Sequence, residues 1–271
     1  MPRTCCLIGP PGTGKSEMIA RTAPRRPVHF IDVDRKLASS ARIIPLIEKG
    51  DVTFWEVSET LSEAGLQARL IEASNNSKPS KEPLGWRSFA GLVDRLPKDP
   101  ISQTAGSWCL DSYTLLGDHL KRAVLHWDAK GISTLSQRNW GTFLMVHEET
   151  LTTLIDLART HDKDLFITVH EKPSELPTRD TKVRHTKDAQ GNPTREFIGN
   201  LDLKIAPTVE GSFANKMFSY FSDVYGLRVD IVDGAPRWVC RVKPDGIRDL
   251  RCSFNVKDAE FTPPDFRMIW R

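Results

Sequence analysis

The sequence predicts an α/β fold: a mostly parallel sheet flanked by helices, extended at its C-terminal end by antiparallel strands. Three observations carry this expectation. Short apolar runs alternate with helix-compatible stretches up to residue 170. A glycine-rich loop, Gly9 to Ser16, stands between the first apolar run and the first helical one. After residue 222, short strand-like runs are joined at turn sequences, Asp233-Gly234 and Pro244-Asp245-Gly246.

Taken in order, residues 3–8 read as the first strand and about 15–22 as the first helix. Val28-His29-Phe30-Ile31 is a second buried strand, ending in Asp32-Val33-Asp34. A helix is expected from Arg35 to about Ile47, with Pro45 limiting its end. Thr53 to Val57 is a third strand. Ser62 to Ala73 has apolar residues at helical spacing, and Asn75 to Pro83 is a polar, proline-rich loop. A short amphipathic helix is expected from Trp86 to Leu96. Ser107 to Leu110 is the next strand, ending at Asp111, and 113–127 a helix. Residues 129–137 read as a loop, and about Trp140 to Arg159 as a long helix. Leu165 to Val169 is nearly all apolar and ends at His170, as in a parallel strand covered on both faces.

The character changes at 173–200, which is polar and basic and reads as a projecting hairpin or loop. A strand around Leu203–Ile205 and a helix around 211–221 follow. Residues 224–232, 237–243 and 247–254 read as antiparallel edge strands. We take the chain as one domain of 271 residues, with a core at 1–222 and a C-terminal β extension at 223–271.

Composition excludes several classes. With 39% hydrophobic and 27% charged residues, the chain is globular rather than disordered. No apolar run is long enough to span a bilayer, and the first strand starts too early for a leader, so a cytoplasmic protein is expected. Five scattered cysteines without a CxxC pair read as buried thiols. A net charge of +3 leaves any nucleic-acid surface to be local.

The chemistry starts at Gly9-Pro10-Pro11-Gly12-Thr13-Gly14-Lys15-Ser16, which fits the Walker A pattern between a strand and a helix. Its glycines let successive N–H groups converge on phosphate, and the following helix adds its positive end. Lys15 suits the β- and γ-phosphates of ATP, and Ser16 suits Mg²⁺. A carboxylate must complete the metal site. Asp111, at a strand end, is the first choice, with Asp32 competing; capping of the next helix is the bland alternative for Asp111. Ser112 follows Asp111, so a general base must come from elsewhere. Asp34 is the candidate, or else it caps the helix from Arg35; Glu56 is the reserve. His170 ends the most hydrophobic strand and is either a γ-phosphate sensor or a structural histidine.

Phe30 to Leu37 resembles the RecA segment in which a catalytic Glu occupies the place of Asp34. Leu110-Asp111-Ser112 resembles the RecA Walker B run. More closely, the chain resembles small phage P-loop proteins with a RecA-like core, the Sak-group single-strand annealing recombinases. Trp140-Gly141, Ile167 to Glu171, and Pro207 to Gly211 followed by Phe221 to Val224 carry that likeness. The resemblance implies a RecA-like P-loop ATPase that binds single-stranded DNA, promotes annealing and assembles into rings or filaments; whether a separate single-strand-binding protein is a further partner stays open. It implies Lys15, Asp34 and His170 as catalytic, and Ser16 and Asp111 as metal ligands. Asp34 is one methylene shorter than the family's Glu. Arg248 and Arg251 stand where the family has a trans-acting basic pair, at a different spacing.

For DNA the expected surface is Arg179, Lys182, Arg184, Lys187 and Arg195, neutralising backbone phosphates, with Trp140 and Phe197 as stacking candidates. A solvated charged loop is the bland reading. Two other classes stay open. One is a nucleotide-gated loader acting on a protein partner such as a helicase. The other is a small-molecule kinase, which the β-rich C-terminus fits poorly.

Overall fold

The computed structural model describes residues 2–58, 84–127, 137–177, 182–187, 193–198, 201–209 and 213–270. Six strands run parallel in the order β9-β1-β5-β4-β2-β3: β1 (Thr4–Gly9), β2 (Val28–Asp32), β3 (Val52–Glu56), β4 (Ser107–Asp111), β5 (Asp164–Pro177) and β9 (Asp223–Val232). Beyond β9 the sheet continues antiparallel through β10 (Ala235–Arg241) to β11 (Glu260–Phe261). Thus the first strand of the expected C-terminal extension joins the parallel sheet beside β1, and the antiparallel part starts at β10.

The strands β1, β2 and β4 are buried along their whole length, as a parallel sheet covered on both faces requires. Alternate residues of β1 serve opposite cores. Cys5 and Leu7 pack with Met18 and Ile19 of α1 (Lys15–Thr22) and with Phe266 and Ile269 of α8 (Phe266–Ile269). Cys6 and Ile8 face the other side. There they belong with Phe89 of α3 (Leu84–Arg95), Leu116 of α5 (Tyr113–Trp127) and Leu154 of α6 (Gln137–Thr160). Gly9 is glycine because β9 passes so close: a Cβ there would lie 2.3 Å from the Leu227 carbonyl oxygen.

Three local expectations fail. The helix from Arg35 to Ile47 is instead a 3₁₀ turn at Leu37–Ser39 and a separate α2 (Ile44–Glu48). The Asp32 carboxylate accepts from the N–H groups of Arg35 (2.8 Å) and Leu37 (2.9 Å), which holds Arg35 at φ 53°. Pro45 then opens the second helix rather than closing the first, because its missing N–H costs nothing in a first turn. Residues 247–254 form no strand: Arg251 bridges to Val224 of β9, the Ile205 N–H donates to the Ile247 carbonyl, and the Ser253 N–H donates to the Asp223 carboxylate. A helix not expected from sequence, α4 (Pro100–Thr104), is capped by Asp99. The helix expected at Ser62–Ala73, the loop at Asn75–Pro83 and residues 129–136 of the later loop lie outside the described residues.

β5 does not stop at His170. Its first half pairs with β1 and β4, and from Glu171 to Pro177 it pairs antiparallel with β8 (Leu201–Pro207). Between them β6 (Lys182–Lys187) and β7 (Pro193–Ile198) form a two-stranded ladder. The α7 helix (Phe213–Lys216) and a 3₁₀ turn at Met217–Tyr220 return the chain to β9. Among the described residues no helix is long and apolar enough to cross a membrane.

His147 is buried in the core between Phe143 and Phe213, with Nδ1 2.9 Å from the Tyr113 hydroxyl. Burial pushes its imidazole down to about 4. The unfolded chain, near 6.5, takes up the proton first as pH falls, so this stability is complete above pH 6.5 and lost towards pH 4. We expect urea unfolding of the wild type to lose about 2 kcal/mol from this group between pH 7 and pH 5. His147→Phe should shrink the drop by that amount. An unchanged drop would mean that His147 titrates in the fold as it does in the unfolded chain.

Candidate nucleotide site

The C-terminal ends of β1, β5 and β4 gather the predicted residues at one edge. Gly9 is in register with His170, and Asp32 with Asp111. The loop Gly9–Ser16 turns there, with Gly12 at φ 78° and Gly14 at φ 82°, conformations that an L side chain rarely adopts. Gly14 is the N-cap of α1 and has no side chain to close the helix end, which stays available to an anion. Nothing lies within 4 Å of the position a Gly12 Cβ would take, so the cradle is open.

Lys15 is buried, and its Nζ donates to the carbonyls of Gly9 and Pro10, both at 2.8 Å. Burial lowers its ammonium to about 8, against the opposing pull of Asp111, Glu171 and Asp34. The Ser16 hydroxyl donates to Asp111 Oδ2 at 2.5 Å, and the Thr168 hydroxyl donates to Oδ1. Both carboxylate oxygens are therefore held by hydroxyls and neither caps α5. Burial raises the Asp111 carboxyl, while the Ser16 and Thr168 hydroxyls lower it. Asp32, the competing metal candidate, spends both oxygens on the Arg35 and Leu37 N–H groups. Burial pushes it up to about 6.

The capping role left open for Asp34 has no helix to serve, and the N–H groups of Arg35 and Leu37 go to Asp32. Asp34 instead accepts a hydrogen bond from the Ser112 hydroxyl at 2.9 Å, and Lys36 stands 3.7 Å from its other oxygen. Glu56 ends β3, the far edge of the parallel run. Three strands separate it from β1, about 19 Å at the usual strand spacing, which removes it as a base. His170 donates its N–H to the Thr114 hydroxyl and its carbonyl accepts from Thr208. Burial first, then the Lys15 charge, holds its imidazole below the usual value.

Arg248 and Arg251 have partners within the chain. Arg248 makes a two-pronged pair with Glu171, 2.9 and 3.1 Å, and a further bond to Asp245 at 3.0 Å. The Arg248 and Glu171 side chains are only 15% and 6% exposed. Arg251 donates to the Phe218 carbonyl. Lys182, Arg184 and Lys187 lie on β6 and Arg195 on β7, with Arg184 opposite Glu196; Arg179 lies outside the described residues.

Sequence reasoning missed Thr168, Ser112 and Glu171. Thr168 left a signal: it is the one hydroxyl in the run Leu165–Val169, two residues before His170 and so on the same face of the strand. Glu171 left none, because Arg248 meets it across 77 residues of chain.

The donor set fits a hard cation. Asp111, Ser16 and Thr168 offer oxygen only, and few protein ligands suit an ion that keeps several waters. Among the described residues no group of three or more His, Cys, Asp or Glu forms a metal cage.

No protein-family model matches the chain, and no curated protein matches it. Among solved structures, the crystal structure of the flagellar accessory protein FlaH from Methanocaldococcus jannaschii is similar at 9% identity and a TM-score of 0.43. The likeness covers 96% of this chain and 84% of that one.

Proposed function

We propose that the chain is a Mg²⁺-dependent P-loop ATPase of the RecA-like type that couples nucleotide to single-stranded DNA. The observation that carries the ATPase reading is the Ser16–Asp111 hydrogen bond at 2.5 Å. It joins the end of a phosphate loop to a buried carboxylate 95 residues away on another strand, the pairing that Mg²⁺-nucleotide chemistry needs. The loop N–H groups and Lys15 would hold the β- and γ-phosphates. Ser16 and Asp111 would hold Mg²⁺, which supplies charge neutralisation of the phosphates when bound. Asp34, which accepts from Ser112, would take a proton from an attacking water, and His170, in register with Gly9, would donate to the γ-phosphate.

The DNA half of the reading rests on the sequence resemblance and on the basic residues of β6 and β7. The continuity of β5 supports it, since one strand runs from beside the phosphate loop into the β5–β8 ribbon from which those residues follow. Ring or filament assembly belongs to the same proposal.

The test is ATP turnover with and without a single-stranded oligonucleotide. We expect several-fold stimulation at low ionic strength that fades as salt rises, because phosphate contacts release counterions. Turnover without DNA binding or stimulation at low salt would sink the DNA half and direct the search to a protein partner.

A further inference from the structure

Beside the phosphate loop lies a cavity of about 450 Å³ that the phosphate chemistry leaves unused. Thr13, Gly14 and Met18 line it from the loop and α1, Arg42 and Trp238 from other elements, and Pro263 from the C-terminal segment. Its volume lies in the range of small-molecule sites. Trp238, on β10, brings its indole against the loop: a Cβ on Gly14 would sit 3.5 Å from Cδ1 and 3.7 Å from Nε1. The Arg42 guanidinium lies over the indole, 4.9 Å from its centroid. Pro263 and Pro264 add rigid apolar surface to the same cavity.

The charged groups of the cavity are already engaged with one another. Glu17 pairs with Arg21 (3.1 Å) and Arg42 (3.0 Å). Asp265 accepts from the Arg267 side chain (2.6 Å) and the Arg267 N–H (2.8 Å). What the cavity offers a ligand is an aromatic ring, proline faces and a shared positive charge. That is a stacking site with no carboxylate set aside to read an exocyclic group.

We infer that this cavity takes the purine base of a nucleoside triphosphate, stacked on Trp238, and accepts adenine and guanine alike. The inference rests on the nucleotide reading above. Thr13 and Gly14 belong both to the loop and to the cavity lining, so a base joined through its ribose to a triphosphate on the loop would reach Trp238. Every base has a π-face, so stacking holds the ring without naming it.

The experiment is titration calorimetry with ATP, GTP and inorganic tripolyphosphate, in the presence of Mg²⁺, on wild type, Trp238→Ala and Trp238→Phe. Wild type should bind ATP and GTP within about tenfold of each other, since stacking is tolerant of base identity. Trp238→Ala should weaken both by about tenfold or more and leave tripolyphosphate unchanged, while Trp238→Phe keeps most of the affinity. Unchanged ATP binding in Trp238→Ala would overturn the inference while the phosphate-loop reading stands. So would an equal loss for tripolyphosphate, which would make Trp238 a prop for Gly14, or a hundredfold preference for ATP over GTP. A wild type that binds none of the three would defeat the phosphate-loop reading, and this inference with it. Thermal melting of both variants separates misfolding from lost contact.

Discussion

Lys15→Ala should reduce ATP turnover by on the order of a thousandfold or more, the largest effect of any single substitution in the chain. The ammonium sits at the mouth of the loop, buried and bonded to two carbonyls that it can exchange for phosphate oxygens. Its ordinary pKa has fallen only to about 8, so it stays largely charged at neutral pH. A charge held at a partly buried site acts more strongly than one in bulk water on the phosphate oxygens, where charge builds as the bond to the γ-phosphate loosens. Removing it also leaves the Gly9 and Pro10 carbonyls without their donor, at a cost of about 1–3 kcal/mol for each that stays dry. Turnover should therefore be compared with a melting curve. A Lys15→Ala protein that stays folded and retains most of its turnover would refute the phosphate-loop assignment.

Asp111→Asn should separate activity from stability. The carboxylate accepts from two hydroxyls and lies deep in the sheet edge, where burial opposes its charge. Asparagine keeps the shape and one acceptor oxygen but removes the negative charge that a divalent cation needs. We expect turnover to fall about a hundredfold or more and the Mg²⁺ requirement to rise, since metal-borne charge stabilisation is worth several kcal/mol. Without nucleotide, the variant should melt at or above the wild-type temperature, because a charge that burial opposes has been replaced by a neutral group. Measuring both on one preparation decides the matter. A variant that melts much lower and hydrolyses normally would make Asp111 a structural residue.

Much of the phosphate edge was legible because it is local. The loop, the strand before it and the helix after it lie within 22 residues, and glycine spacing dictates their shape. The strand-end carboxylate at Asp111 was legible because an apolar run marks a buried strand and a charge marks its exit. Elsewhere the reading failed where a nearby side chain captures backbone N–H groups or where distant residues decide. Nothing near Arg35 announces that Asp32 will bend back to catch two N–H groups and break a helix that the composition would otherwise allow. The run 247–254 has the residues of a strand, but β10 covers β9 from Gly226 to Val232, and only Arg251 pairs with the short open stretch before it, at Val224. Arg248 and Trp238 gain their meaning from Glu171 and Gly14, partners far along the chain that no window of sequence brings together.

The continuity of β5 has a mechanical consequence. From Glu171 to Pro177 the strand pairs with β8, so beyond the parallel sheet it belongs to a two-stranded ribbon, about 23 Å from His170 to Pro177. Its near end lies beside Gly9 of β1, the His170 carbonyl accepts from the Thr208 N–H, and Ile205, opposite Pro173, donates to the Ile247 carbonyl. At that length, a tilt of about 10° where the ribbon leaves the sheet would carry its far end about 4 Å, nearly one strand spacing.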